Sequence, residues 1–109
     1  MSTLIGPPRI RNLPVDITTV TGNYSITLDD YFLAVLNTNS PWTLTLPLSA
    51  DIPNGKTFIV KDESGGAGAN NITVQATAPE TIDGQASKVI NGNRGSVTVL
   101  ARQNGYSLI

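Results

Sequence analysis

From residue 21 onward, apolar and polar residues alternate with a period of two. Tyr24, Ile26 and Leu28 are separated by Ser25 and Thr27, the pattern of a strand with one buried face. Residues 31–36, YFLAVL, are an unbroken apolar run of strand length, which suits a central strand covered on both faces, by its own domain or by another subunit. Trp42, Leu44 and Leu46 alternate with Thr43 and Thr45, so Trp42 belongs to the core side, and Pro47 closes the strand because it lacks an N–H. In 57–61, TFIVK, Phe58 and Val60 face one way and Thr57, Ile59 and Lys61 the other; in 71–75, NITVQ, Ile72 and Val74 point inward. Between these two strands, residues 64–70, SGGAGAN, carry no bulky side chain, so this loop can take positive φ and lie close against another backbone. Short runs follow at 81–83 and 87–90. SVTVLA at 96–101 then places Val97 and Val99 on one face, and a Gln103-Asn104-Gly105 hairpin turn leads to a last strand at 106–109.

About eight strands at roughly ten-residue spacing, without helical periodicity, predict an all-β fold. The expected architecture is a single-domain β-sandwich or jelly-roll-like knob over residues 21–109. No internal repeat is strong enough to predict a solenoid. Residues 1–20 are different in kind. Pro7, Pro8 and Pro14 are interspersed with Leu4, Ile5, Ile10 and Leu13, and proline favours an extended shape over a helix. Arg9 and Arg11 flank Ile10 and project from one side of an extended chain. The reading is an arm that orders on a partner surface, with Leu4, Ile5, Pro7, Pro8, Arg9, Ile10 and Arg11 as its contact residues.

Composition narrows the function. Charged residues make up 14% of the chain, against roughly 25% in a typical soluble domain, and Thr, Ser and Asn fill the surface instead. With a net charge of −1, self-association meets little repulsion, so an oligomer is expected. Seven scattered Lys and Arg make no basic stripe for nucleic acid. Cysteine and histidine are both absent, which removes disulfides, the usual zinc sites and imidazole-dependent triads. No apolar segment has the length of a signal sequence or a membrane span.

The candidate chemistry is thin. Gly55-Lys56-Thr57 resembles the end of a phosphate-binding loop, but Ala50 stands where that loop needs glycine, and Thr57 opens a strand rather than a helix. Asp62, Glu63 and Asp83 lack calcium-loop spacing and read as solvated turn carboxylates. A glycosidase pair drawn from Asp62, Glu63, Glu80 and Asp83 would lack the aromatic platforms of a saccharide cleft, since the chain has one Trp and three Tyr. Asn23-Tyr24-Ser25 and Asn71-Ile72-Thr73 match the glycosylation sequon at no more than chance frequency.

Taken in order, the pieces GKTF, KD, NNIT, TIDG and GSVT within residues 31–109 resemble a β-rich module of bacteriophage virion proteins, found in distal tail-fibre domains and small head-decoration (cement) proteins. The resemblance implies a structural homotrimer without enzymatic activity or cofactor, and carries over no catalytic residue. The short arm before a single knob, with no long shaft, points to a decoration protein on the capsid exterior, made in the host cytoplasm and bound to the major capsid protein. The alternative is a receptor-binding knob or small fibre of the tail or baseplate. It would contact host glycan through tip loops, with Gly65, Gly66, Gly68, Asn70, Asn93 and Arg94 as the exposed candidates.

Overall fold

The computed structural model describes residues 14–109. Within them ten strands form a six-stranded sheet and a four-stranded sheet, the all-β sandwich that the strand spacing predicts. The strands are β1 (Ile17–Val20), β2 (Tyr24–Ser25), β3 (Phe32–Val35), β4 (Trp42–Thr45), β5 (Thr57–Asp62), β6 (Ile72–Gln75), β7 (Thr81–Ile82), β8 (Ser87–Ile90), β9 (Ser96–Arg102) and β10 (Gly105–Leu108). The larger sheet has the order β1-β3-β5-β9-β10-β7 and the smaller β2-β4-β6-β8.

The wiring departs from an antiparallel jelly roll. β1, β3 and β5 pair in parallel in the larger sheet, and β2, β4 and β6 pair in parallel in the smaller. The chain therefore winds through three successive coils, each laying one strand in each layer. This is solenoid-like connectivity without a sequence repeat to announce it. The coil stops after β6. β8 returns antiparallel to β6, β9 antiparallel to β5, and β10 folds back on β9. β1 also falls within residues 1–20, so Ile17–Val20 belongs to the sandwich and its body starts before Thr21. The arm contact residues Leu4, Ile5, Pro7, Pro8, Arg9, Ile10 and Arg11 lie outside the described residues.

Alternation in each strand delivers one side to a shared core. Leu33, Val35, Phe58, Val60 and Val99 from the larger sheet meet Leu44, Ile72 and Val74 from the smaller, all with no exposed surface. Trp42 packs against this cluster, half-buried; its indole N–H donates to the Asn37 carbonyl at 3.0 Å. Tyr106 is the largest fully buried side chain. Its ring tilts against Phe58, centroids 6.4 Å apart, and its hydroxyl donates to the Pro47 carbonyl at 2.7 Å. A buried phenol without that acceptor would cost about 1–3 kcal/mol.

Two turns take their shape from residue type. Asp83 (φ 48°) and Gly84 (φ 83°) both adopt positive φ, as a type I′ turn requires. At Gly105, φ is 155°, and a Cβ there would lie 2.7 Å from the Thr81 carbonyl oxygen. Only glycine lets β10 come this close to β7. Gly84→Ala has open space around it and should cost about 1–2 kcal/mol for the backbone conformation alone. Gly105→Ala should cost a similar amount plus about 1–3 kcal/mol of overpacking. Urea melts of the two variants against the parent chain check the ordering.

Candidate functional site

Two loops that the sequence treats separately meet at one end of the sandwich. β5 ends in Asp62 and runs into the glycine-rich loop; residues 91–95 lead into β9, whose Ser96 pairs with Lys61. The alternation that turns Phe58 and Val60 inward also turns Asp62 inward, and its carboxylate has no exposed surface. Expected as a solvated turn acid, Asp62 is instead the most enclosed charge among the described residues. Burial of an ion is tolerated only when its lone pairs are all used. Here Oδ1 accepts from the Ser64 N–H (2.9 Å), the Ser64 hydroxyl (2.6 Å) and the Gly65 N–H (3.0 Å). Oδ2 accepts from the Ala67 N–H (2.9 Å) and, from the other loop, the Arg94 N–H (3.0 Å). Burial pushes the Asp62 carboxyl upward, but donation from Ser64, Ala67, Arg94 and Gly65 outweighs it and holds the group well below the usual carboxylate range.

The tip-loop candidates Gly65, Gly66, Gly68, Asn70, Asn93 and Arg94 are brought together around this carboxylate. A Cβ on Gly66 would fall 2.2 Å from Thr38 Oγ1 and one on Gly68 2.9 Å from Asn93 Oδ1. The close approach expected of the small-residue loop is thus made to segments of the same chain. The Gly68 N–H donates to Asn93 Oδ1 at 2.9 Å, and the Asn70 side-chain amide donates to the Thr38 carbonyl at 2.8 Å. Arg94 donates to the Glu63 carbonyl at 2.6 Å, and its guanidinium stands 3.9 Å from the Glu63 carboxylate. That pair is largely exposed and adds little. The Lys61 ammonium donates to the Arg94 carbonyl. Gly68, Asn93 and Arg94 are exposed while Gly65, Gly66 and Asn70 are half-buried, so the outward surface of the tip is backbone, amide and one guanidinium. Such a surface can hydrogen-bond a polar partner; it offers no nucleophile.

The remaining acids have structural partners too. Both oxygens of Glu80 are taken by Ser49, from its N–H at 2.9 Å and its hydroxyl at 2.8 Å. The Ser49 hydroxyl in turn accepts from the Gly105 N–H at 3.1 Å. Burial, then the nearby Glu80 charge, push the Tyr106 phenol upward. Asp83 is exposed in its turn. Asp30, between β2 and β3, is buried at 4% exposure. It accepts from the Thr18 hydroxyl (2.6 Å), the Tyr24 hydroxyl (2.8 Å) and the Thr27 N–H (2.8 Å). Desolvation raises its carboxyl, and these donors more than reverse that. Among the described residues no three carboxylates gather where they could hold a metal ion, and no helix is long and apolar enough to cross a membrane.

Sequence reasoning placed Ser64 in the tip loop but missed Asp62 and Thr38 as members of this site. Two signals for Asp62 are present in the chain. One is its parity with Phe58 and Val60. The other is the Asp-Glu-Ser-Gly order, in which an aspartate accepts from the backbone two and three residues on. No protein-family model matches the chain, and no curated protein matches it at a significant level.

Asp62→Asn should destabilise the fold by about 3 kcal/mol, because an amide replaces an acceptor-only group facing five donors. The folded-state carboxyls of Asp62 and Asp30 are depressed, so their contribution is present above the unfolded value of about 3.9 and is lost as pH falls below it. Thermal melts at intervals between neutral pH and pH 2 should show this loss in the parent and a shallower one in Asp62→Asn.

Proposed function

We propose that this chain is a structural bacteriophage virion protein, a homotrimeric decoration protein that anchors to major capsid subunits through its N-terminal segment. The observation that carries the reading is the division of labour along the chain. The body uses the buried carboxylates of Asp62 and Asp30 and the half-buried one of Glu80 as hydrogen-bond hubs of the fold. The residues with apolar and guanidinium groups suited to a partner surface, Leu4 to Arg11, precede a sheet edge, β1, at which the chain joins the sandwich. A folded body whose first strand lies at a sheet edge, preceded in sequence by an apolar and arginine-bearing segment, suits a lattice-clipping protein. Arm contacts bury apolar area worth about 25 cal/mol per Å² before ordering costs, and linked arms multiply a modest single-site affinity.

A second reading has its own support. The tip is assembled from two loops around Asp62 and presents Asn93, Arg94 and exposed backbone together, a surface suited to a host glycan. It makes the chain a receptor-binding knob of the tail or baseplate.

Deleting residues 1–14 separates the two. The truncated chain should keep its melting transition and lose binding to purified capsids in co-sedimentation. Capsid binding that survives the deletion removes the arm from the proposal. Binding to host cells, with none to capsids, and its loss in Arg94→Ala, establishes the second reading in place of the first.

A further inference from the structure

The outer face of the six-stranded sheet is apolar along one row that crosses it. Register places Ile17 opposite Phe32, Phe32 opposite Ile59 and Ile59 opposite Thr98. The Ile109 N–H then bonds the Thr98 carbonyl and continues the row. Ile17 is 65% and Ile109 71% exposed. By the same alternation Leu36, also well exposed, lies on this face, as does Leu100. The outer face of the four-stranded sheet is more polar: Ser25, Thr43, Thr45, Thr73 and Gln75 occupy its outward positions, with Val89 on edge strand β8 as its one exposed large apolar residue among the described residues.

Parallel strands explain why the asymmetry matters. Parallel sheets are stable when both faces are covered, and their strands then read as continuous apolar runs. The run YFLAVL has this form, yet among the described residues only one face of the parallel trio β1-β3-β5 is covered, by the smaller sheet. Of the outward half of that run, Leu36 is exposed and Phe32 half-buried, while the small Ala34 is already covered by its neighbours.

We infer that this face is where copies of the chain meet. The inference rests on the self-association in the proposed function and deepens it by locating the contact. Charge permits it. Lys61 and Arg102 stand at opposite ends of the face, the Lys61 ammonium is engaged by the tip loop, and the chain's net charge is −1. A second copy therefore brings an uncharged apolar row to an uncharged apolar row. Five strands at ~4.8 Å spacing, each with about five residues at ~3.3 Å, give a face of roughly 400 Å². Thr19, Thr57 and Thr98 share that face with the apolar row, and its area is about half of the ~800 Å² per partner of a stable two-body interface. The association is accordingly concentration-dependent in solution and strengthened where a lattice holds copies side by side.

Sedimentation velocity on the full chain over a wide concentration range tests this, alongside Ile17→Lys, Ile59→Lys and, on the opposite sheet, Gln75→Lys. Ile17 is on an edge strand and mostly exposed, so its variant keeps the fold even where Ile59→Lys does not; thermal melts verify this. The parent and Gln75→Lys should gain mass with concentration, while Ile17→Lys and Ile59→Lys stay at monomer mass. A parent that is monomeric at every concentration, or association that survives both isoleucine variants, overturns the inference. A monomer that still binds capsids overturns it while leaving the capsid reading intact. A chain that associates through this face and ignores capsids does the reverse.

Discussion

The Asp62 carboxylate sits at the end of β5 with no solvent around it and five donors directed at its two oxygens. Four of those donors come from the glycine-rich loop and one from Arg94, thirty-two residues away in sequence. The last contact makes it a fold-wide constraint. β5 and β9 form the antiparallel centre of the larger sheet, and the loop after β5 must be pinned against the loop before β9 if both strands are to keep their register. A buried ion is costly unless fully paired, and removing any donor leaves the remainder poorly compensated. The loops and the strands behind them therefore hold one arrangement.

The coil and its closure divide the chain's work. Three turns of alternating layers stack β1-β3-β5 and β2-β4-β6 in parallel, which needs crossing connections at every step and many contacts between distant residues. Pairing of this sort carries a high loop-closure cost during folding. The antiparallel return of β8, β9 and β10 closes the far side of the coil, and Gly105 lets β10 lie against β7 where any side chain would strike the Thr81 carbonyl. Polar hubs recur along this path. Asp30 fastens the first coil, Asp62 the tip, and Glu80 with Ser49 the opposite end, near the Tyr106 hydroxyl. A chain with so few charges buries two of its acids, Asp30 and Asp62, and half-buries Glu80.

That distribution bears on function more than any single residue does. The two sheets differ on their outer sides, one threonine-rich and one crossed by isoleucine and phenylalanine, so the sandwich has a front and a back. The self-association and terminal attachment proposed for this chain would use such polarity directly. The tip offers a third surface, pre-ordered by Asp62.

Much of this was legible in the chain. The period-two alternation in 57–61, 71–75 and 96–101 identified the strands and the inward residues Phe58, Val60, Ile72, Val74, Val97 and Val99, because a pleated strand with one wet face leaves no other pattern. Asn104-Gly105 and Asp83-Gly84 marked turns because few residues accept positive φ. Strand pairing was not legible. Alternation records which side of a strand is buried and is silent about its neighbour, so the parallel coil, the place of Ile17–Val20 in the sheet and the outward apolar row emerged only from the register. Asp62 shows the same limit at one residue. Its parity pointed inward, but a carboxylate's natural place is in water, and only the convergence of two distant loops supplied the donors that hold it in the core.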